Sequence, residues 1–87
     1  MKTLNWLNDV EFVVEGIHFK CCVGDYTEKT NEDRFILLKD RASLESYAAV
    51  LADIRPRNAL EFGIFQGGSA ALFTLWFDLE KFVGIDI

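Results

Sequence analysis

Apolar and polar residues alternate from Val10 to Val23, with Val10, Phe12 and Val14 in one run and Ile17, Phe19 and Cys21 in the next. Strand side chains point alternately to two faces, so each run gathers its apolar residues on one face. Glu15-Gly16 between the runs has the length of a two-residue hairpin turn. If Val14 faces Ile17, then Phe12 meets Phe19, Val10 meets Cys21, and Glu11 meets Lys20 on the opposite face. That register alone keeps all six apolar residues together. The weak point is Glu15, because a type I′ turn asks for positive φ at both central residues.

The period then changes. Residues 24–34, GDYTEKTNEDR, are polar and aperiodic, which predicts a loop, and Phe35-Ile36-Leu37-Leu38 predicts a short buried strand. From Ser43 the spacing is helical, with Leu44, Tyr47, Ala48, Leu51 and Ile54 on one side and Glu45, Ser46 and Asp53 largely on the other. Ser43 is the expected N-cap. Pro56 is the expected stop, because proline pushes the preceding Arg55 out of the helical region. After the connector Arg55-Pro56-Arg57 come a strand at Asn58–Phe62, a glycine turn, a helix beginning near Gly67-Gly68-Ser69 and a second strand from Lys81 to Ile87. The expected organisation is α/β: a β-rich lead-in over residues 1–39, then residues 40–87 as a helix followed by the first βαβ of a doubly wound parallel sheet.

Composition narrows the function. Of 87 residues, 51% are hydrophobic and 14% aromatic, which suits a packed chain and not a disordered one. The formal charge is −5 and the nine Lys and Arg are scattered, so nucleic acid is not an expected partner. No apolar run approaches signal-peptide or membrane-helix length, so no membrane partner is expected and the location is read as cytoplasmic. Cys21 and Cys22 are adjacent and poorly placed for a structural disulfide. His18-x-x-Cys21-Cys22 puts His18 and Cys22 on one strand face and Cys21 on the other. A tetrahedral metal site would still lack a ligand, so reduced, half-buried thiols are expected.

The stretch ALEFGIFQGGSAALF, residues 59–73, carries the candidate chemistry. Gly63 lets the chain leave the strand sharply, while Gly67 and Gly68 let a ligand approach the unpaired N–H groups at a helix start. Asp86 ends the next strand, where a carboxylate accepts hydrogen bonds from both hydroxyls of a ribose. The spacing is G-x-x-x-G-G and not the G-x-G-x-x-G of dinucleotide sites. Glu61, just before the turn, would repel a pyrophosphate and attract an ammonium group. The ligand implied has a cation, a carboxylate and a ribose.

LEFGIFQGGS followed by FVGIDI resembles the first motif and the following acidic strand end of class I S-adenosylmethionine-dependent methyltransferases. It is most similar to the branch that includes sugar and natural-product O-methyltransferases and cephalosporin-hydroxylase-like proteins. The match covers residues 58–87, and the preceding helix ending in IRPR also suits the family. The resemblance implies S-adenosylmethionine as cofactor and a small-molecule methyl acceptor. It places Glu61 near the methionine amino group, Gly63, Gly67 and Gly68 along the methionine side, Ser69 near the carboxylate and Asp86 on the ribose. Because that fold continues through several more strands, the chain is expected to be the amino-terminal, cofactor-binding part of a larger enzyme, inactive alone. Other readings are a non-catalytic interaction module, and hydroxylase-like or nicotinamide-dependent chemistry on the same fold. His18, the only histidine, is a weaker candidate for a general base than for a surface position. The second helix is apolar nearly all round, with only Thr74, Asp78 and Lys81 interrupting it, which suggests cover from outside the chain. Self-association through an open sheet edge is a further expectation. In the full-length enzyme, Gly68→Val is expected to disturb ligand binding more than folding.

Overall fold

In the computed structural model, which describes residues 1–86, the alternating stretch forms the antiparallel pair β2 (Glu11–Val14) and β3 (Ile17–Cys21), preceded by a short β1 (Asn5–Trp6). Val14 faces Ile17, Phe12 faces Phe19 and Glu11 faces Lys20, the register that the apolar alternation predicts. The Cys21 N–H donates to the Val10 carbonyl at 2.7 Å. Phe12, Val14, Phe19 and Cys21 are buried, whereas Val10 and Ile17 at the two ends of the row are exposed. The turn takes positive φ at Glu15 (50°) and Gly16 (77°), so Glu15 accepts the unfavourable region that the tight connection demands.

β1 pairs with β2 through Trp6 and Phe12, whose rings lie 4.7 Å apart. Two residues are too few to show a period, and the sequence pattern does not reveal this strand. On the other side of β3, β4 (Phe35–Leu37) adds in parallel, Phe19 opposite Phe35 and Cys21 opposite Leu37, completing a four-stranded sheet in the order β1-β2-β3-β4. The polar loop before β4 is pinned by Glu28, whose Oε1 accepts from Lys20 Nζ at 2.9 Å and Arg34 Nη2 at 3.1 Å. Its Oε2 accepts from the Cys22 thiol at 2.7 Å.

Helix α1 (Arg41–Ile54) is capped by Asp40 and not by Ser43. The Asp40 carboxylate accepts from the Ser43 N–H at 2.8 Å, so Ser43 lies inside the first turn and supplies a donor. Both residues are good caps, and the chain uses the earlier one. Arg55 leaves the helix at φ 52°, before Pro56. Leu44 is buried, with Ala48 and Leu51 packed against the core, but Tyr47 and Ile54 are exposed, a narrower apolar stripe than the spacing predicts.

The remaining elements are β5 (Asn58–Phe62), α2 (Gly68–Trp76) and β6 (Lys81–Ile85), with β5 and β6 parallel from Asn58 opposite Lys81 to Phe62 opposite Ile85. The architecture is thus mixed α/β. One core takes Phe12, Val14, Phe19 and Leu37 from the first sheet, Leu44 from α1, and Leu72, Trp76 and Phe77 from α2 and its end. Each fully buried side chain of this size contributes about 1.5–3 kcal/mol. The core therefore joins the β-rich lead-in to the α/β segment. It also corrects the expectation that α2 needs cover from elsewhere, because the four-stranded sheet covers much of its apolar circumference. What stays bare is the outer face of β5 and β6. Leu60 is paired with Val83, and Phe62 with Ile85, on that face, and Leu60 and Phe62 are 57% and 67% exposed. Among the described residues no helix is long and apolar enough to cross a membrane.

Candidate functional site at the glycine turn

Between β5 and α2 the backbone enters the left-handed region three times, at Gly63 (φ 79°), Phe65 (54°) and Gly67 (81°). Gly63 and Gly67 have open space where a Cβ would stand, so backbone conformation is what favours glycine there. Gly68 differs. A Cβ at Gly68 would lie 2.3 Å from the Ile36 carbonyl oxygen and 3.0 Å from Leu37 Cδ2. This overturns the expectation for Gly68→Val: the added side chain would strike β4, so the residue seats α2 on the first sheet and its replacement harms folding first.

The turn is held from three sides. The Gly63 N–H donates to the Ile85 carbonyl at 2.8 Å, and the Gly67 N–H donates to the Ile64 carbonyl at 2.9 Å. Ile64 lies over Gly84, where a Cβ would stand only 2.7 Å from Ile64 Cδ1. Gln66 ties the turn to the polar loop: its Nε2 donates to the Glu28 carbonyl at 3.0 Å and its Oε1 accepts from the Thr30 N–H. Glu28, Thr30 and Gln66 escape a reading of the sequence, since no periodic signal links groups so far apart along the chain.

Glu61, Gly63, Gly68 and Ser69 line one cavity of about 170 Å³, together with Lys39 from the connection between β4 and α1. Gly67 stands beside them as the N-cap of α2. The first intrahelical bond there runs from the Ala71 N–H to the Gly67 carbonyl at 3.0 Å, so the N–H groups of the first turn precede the ladder. Asp86 follows β6 directly, level with Gly63 in the parallel register, exposed and outside the cavity lining. The expected site residues thus divide into four around the cavity, one behind it and one at the neighbouring strand end.

Glu61 lines the cavity with Gly68 and Ser69 of α2 and is half-buried, whereas Leu60 and Phe62 on either side of it are exposed, as strand alternation requires. Its Oε1 is closed off from solvent and, among the described residues, has no hydrogen-bond partner. Leaving a buried acceptor unpaired costs about 1–3 kcal/mol, which asks for an explanation. At about 170 Å³ the cavity is smaller than the roughly 300–1,000 Å³ of pockets that enclose a whole drug-sized ligand, which suits a head group.

The thiols are poor nucleophiles. Burial, with help from the Glu28 carboxylate, pushes Cys22 up to about 11, and burial does the same to Cys21. Both are protonated near neutrality. His18 is exposed, opposite Val13 on the face away from the core. Comparison with protein-family models, curated proteins and solved structures finds no match.

Proposed function

We propose that the glycine turn binds the methionine end of S-adenosylmethionine, and that β5-α2-β6 is the first βαβ of a Rossmann-like, doubly wound methyltransferase domain, the cofactor-binding part of a larger enzyme. The observation that carries this reading is Glu61, which lines a cavity beside a helix start and whose Oε1 has no partner among the described residues. An ammonium group in that cavity is attracted to the carboxylate, and rotation about the last side-chain bond presents the unpaired oxygen to it, whereas a pyrophosphate would be repelled, which argues against a nicotinamide dinucleotide. The apolar outer face of β5 and β6 supports the same fold, since parallel sheets are ordinarily covered on both faces. Free cysteines suit a cytoplasmic location.

In this reading Glu61 binds the ammonium group, the N–H groups at Gly68 and Ser69 face the carboxylate, Gly63 and Gly67 shape the backbone around it, and Asp86 holds the ribose hydroxyls. When bound, the cofactor supplies an electrophilic methyl group on a sulfonium. The chain's own part is to hold that end in one orientation for a small-molecule acceptor.

Calorimetric titration with S-adenosylmethionine tests the proposal. Glu61→Gln removes the charge at nearly constant shape and should weaken binding about ten- to a hundredfold, the worth of a charged hydrogen bond. Because the unpartnered Oε1 is a cost to the free protein, the same change should leave the melting temperature unchanged or raise it. Undiminished affinity in Glu61→Gln refutes the assignment. The exposed row Leu60, Phe62, Val83 and Ile85 favours a second reading, an interaction module that self-associates through the β5–β6 face and its open edge. Sedimentation at increasing concentration checks it, with association suppressed in Phe62→Asp.

A further inference from the structure

We propose that Lys39 is the carboxylate partner of the ligand, so that the cavity recognises a zwitterionic α-amino-acid head group and admits the cofactor amino-acid end first. This rests on the cofactor reading above. Lys39 is half-buried and its backbone is held between β4 and the capping residue Asp40. Its ammonium lies 5.7 Å from the centre of the Tyr47 ring. Among the described residues the half-buried cations Lys20 and Arg34 pair with Glu28 and Arg41 pairs with Glu45, whereas Lys39 has no ion pair.

Lys39 and Glu61 nevertheless line the same cavity, without pairing with each other. Lys39 lacks a carboxylate partner and Glu61 has an unpaired oxygen, and a group bearing both opposite charges in the cavity they share satisfies both at once. Gly68 and Ser69, at the positive end of α2, line that cavity too and reinforce the pull on a carboxylate. With the head group inside, the nucleoside end is left to the exposed side of the turn, where β6 ends in Asp86.

Two ligands separate this inference from the reading beneath it. S-adenosylmethionine and decarboxylated S-adenosylmethionine share the sulfonium, the nucleoside and the ammonium, and only the first has a carboxylate. Calorimetry on the wild type should show a preference of about tenfold for the carboxylated ligand. Lys39→Met and the milder Lys39→Gln should abolish that preference by weakening only the carboxylated ligand, and Lys39→Arg should retain most of it. Glu61→Gln should weaken both ligands alike. An unchanged preference in either neutral variant, with a wild-type far-ultraviolet circular dichroism spectrum, overturns the role of Lys39 alone. If the full-length wild-type enzyme binds neither ligand, the cofactor reading falls and this inference falls with it.

Discussion

Gly68→Ala separates a packing role from a ligand role more cleanly than any other change in the turn. The new methyl would sit 2.3 Å from the Ile36 carbonyl oxygen, 3.1 Å from its carbon and 3.0 Å from Leu37 Cδ2. Carbon and oxygen ordinarily approach no closer than about 3.3 Å, so α2 and β4 must separate by about 1 Å. Neither neighbour gives way easily, since Ile36 and Leu37 are buried and the main obstacle is backbone. Overpacking of this kind costs about 1–3 kcal/mol, and alanine's better helix propensity returns at most about 1 kcal/mol at a first helical position. The expected net loss is about 1–2 kcal/mol. For a chain of this size that is about 4–16 °C in melting temperature. Urea denaturation followed by circular dichroism reads it directly, with Gly63→Ala as the control in which only backbone strain of about 1–2 kcal/mol is introduced. A Gly68→Ala protein within about 0.5 kcal/mol of wild type would refute the packing argument.

Other expectations follow from the same geometry. Gln66→Ala removes two hydrogen bonds between the turn and the polar loop, and should destabilise by about 1–2 kcal/mol and speed tryptic cleavage at Lys29. The raised thiols make stability fall with alkali. The unfolded thiols ionise near 9 and the folded ones only near 11, so their contribution is complete below pH 9 and is lost as pH rises through 11. Urea melts at pH 8 and pH 11 should show the loss, reduced in Cys22→Ser. Glu28, held low chiefly by the Cys22 thiol and Lys20, contributes above its unfolded value near 4.5 and loses that contribution as pH falls further, which Glu28→Gln should flatten in an acid titration of the fold. Under the cofactor reading, Asp86→Ala in the full-length enzyme should weaken S-adenosylmethionine binding about ten- to a hundredfold, measured by calorimetry.

Local patterns are what the sequence discloses. The hairpin register follows from six alternating residues and a turn, and the parallel β5–β6 pair from two apolar runs flanking a glycine-rich helix start. Capping was ambiguous because Asp40 and Ser43 are both competent and lie three residues apart. The contacts that give the site its character are non-local: β4 beside β3, Gly68 against Ile36, Gln66 reaching Glu28, and Lys39 sharing a cavity with Glu61. None has a period or a short motif. A glycine that packs and a glycine that turns look the same in a string of letters, so the sequence does not separate Gly68 from Gly63 and Gly67.

The β5–β6 ladder meets the rest of the fold chiefly through α2. A ladder attached along one helix is free to open while the hairpin sheet stays intact, so native-state hydrogen exchange should sort the amides into two sets. Those of β2 and β3 should exchange only on global unfolding, and those of β5 and β6 through a cheaper opening. The cavity draws on both sides of that seam, with Ile36 and Lys39 on one side and Glu61 and Ser69 on the other. A head group bound there would close the seam, and the slow and fast amides should then merge into one cooperative unit.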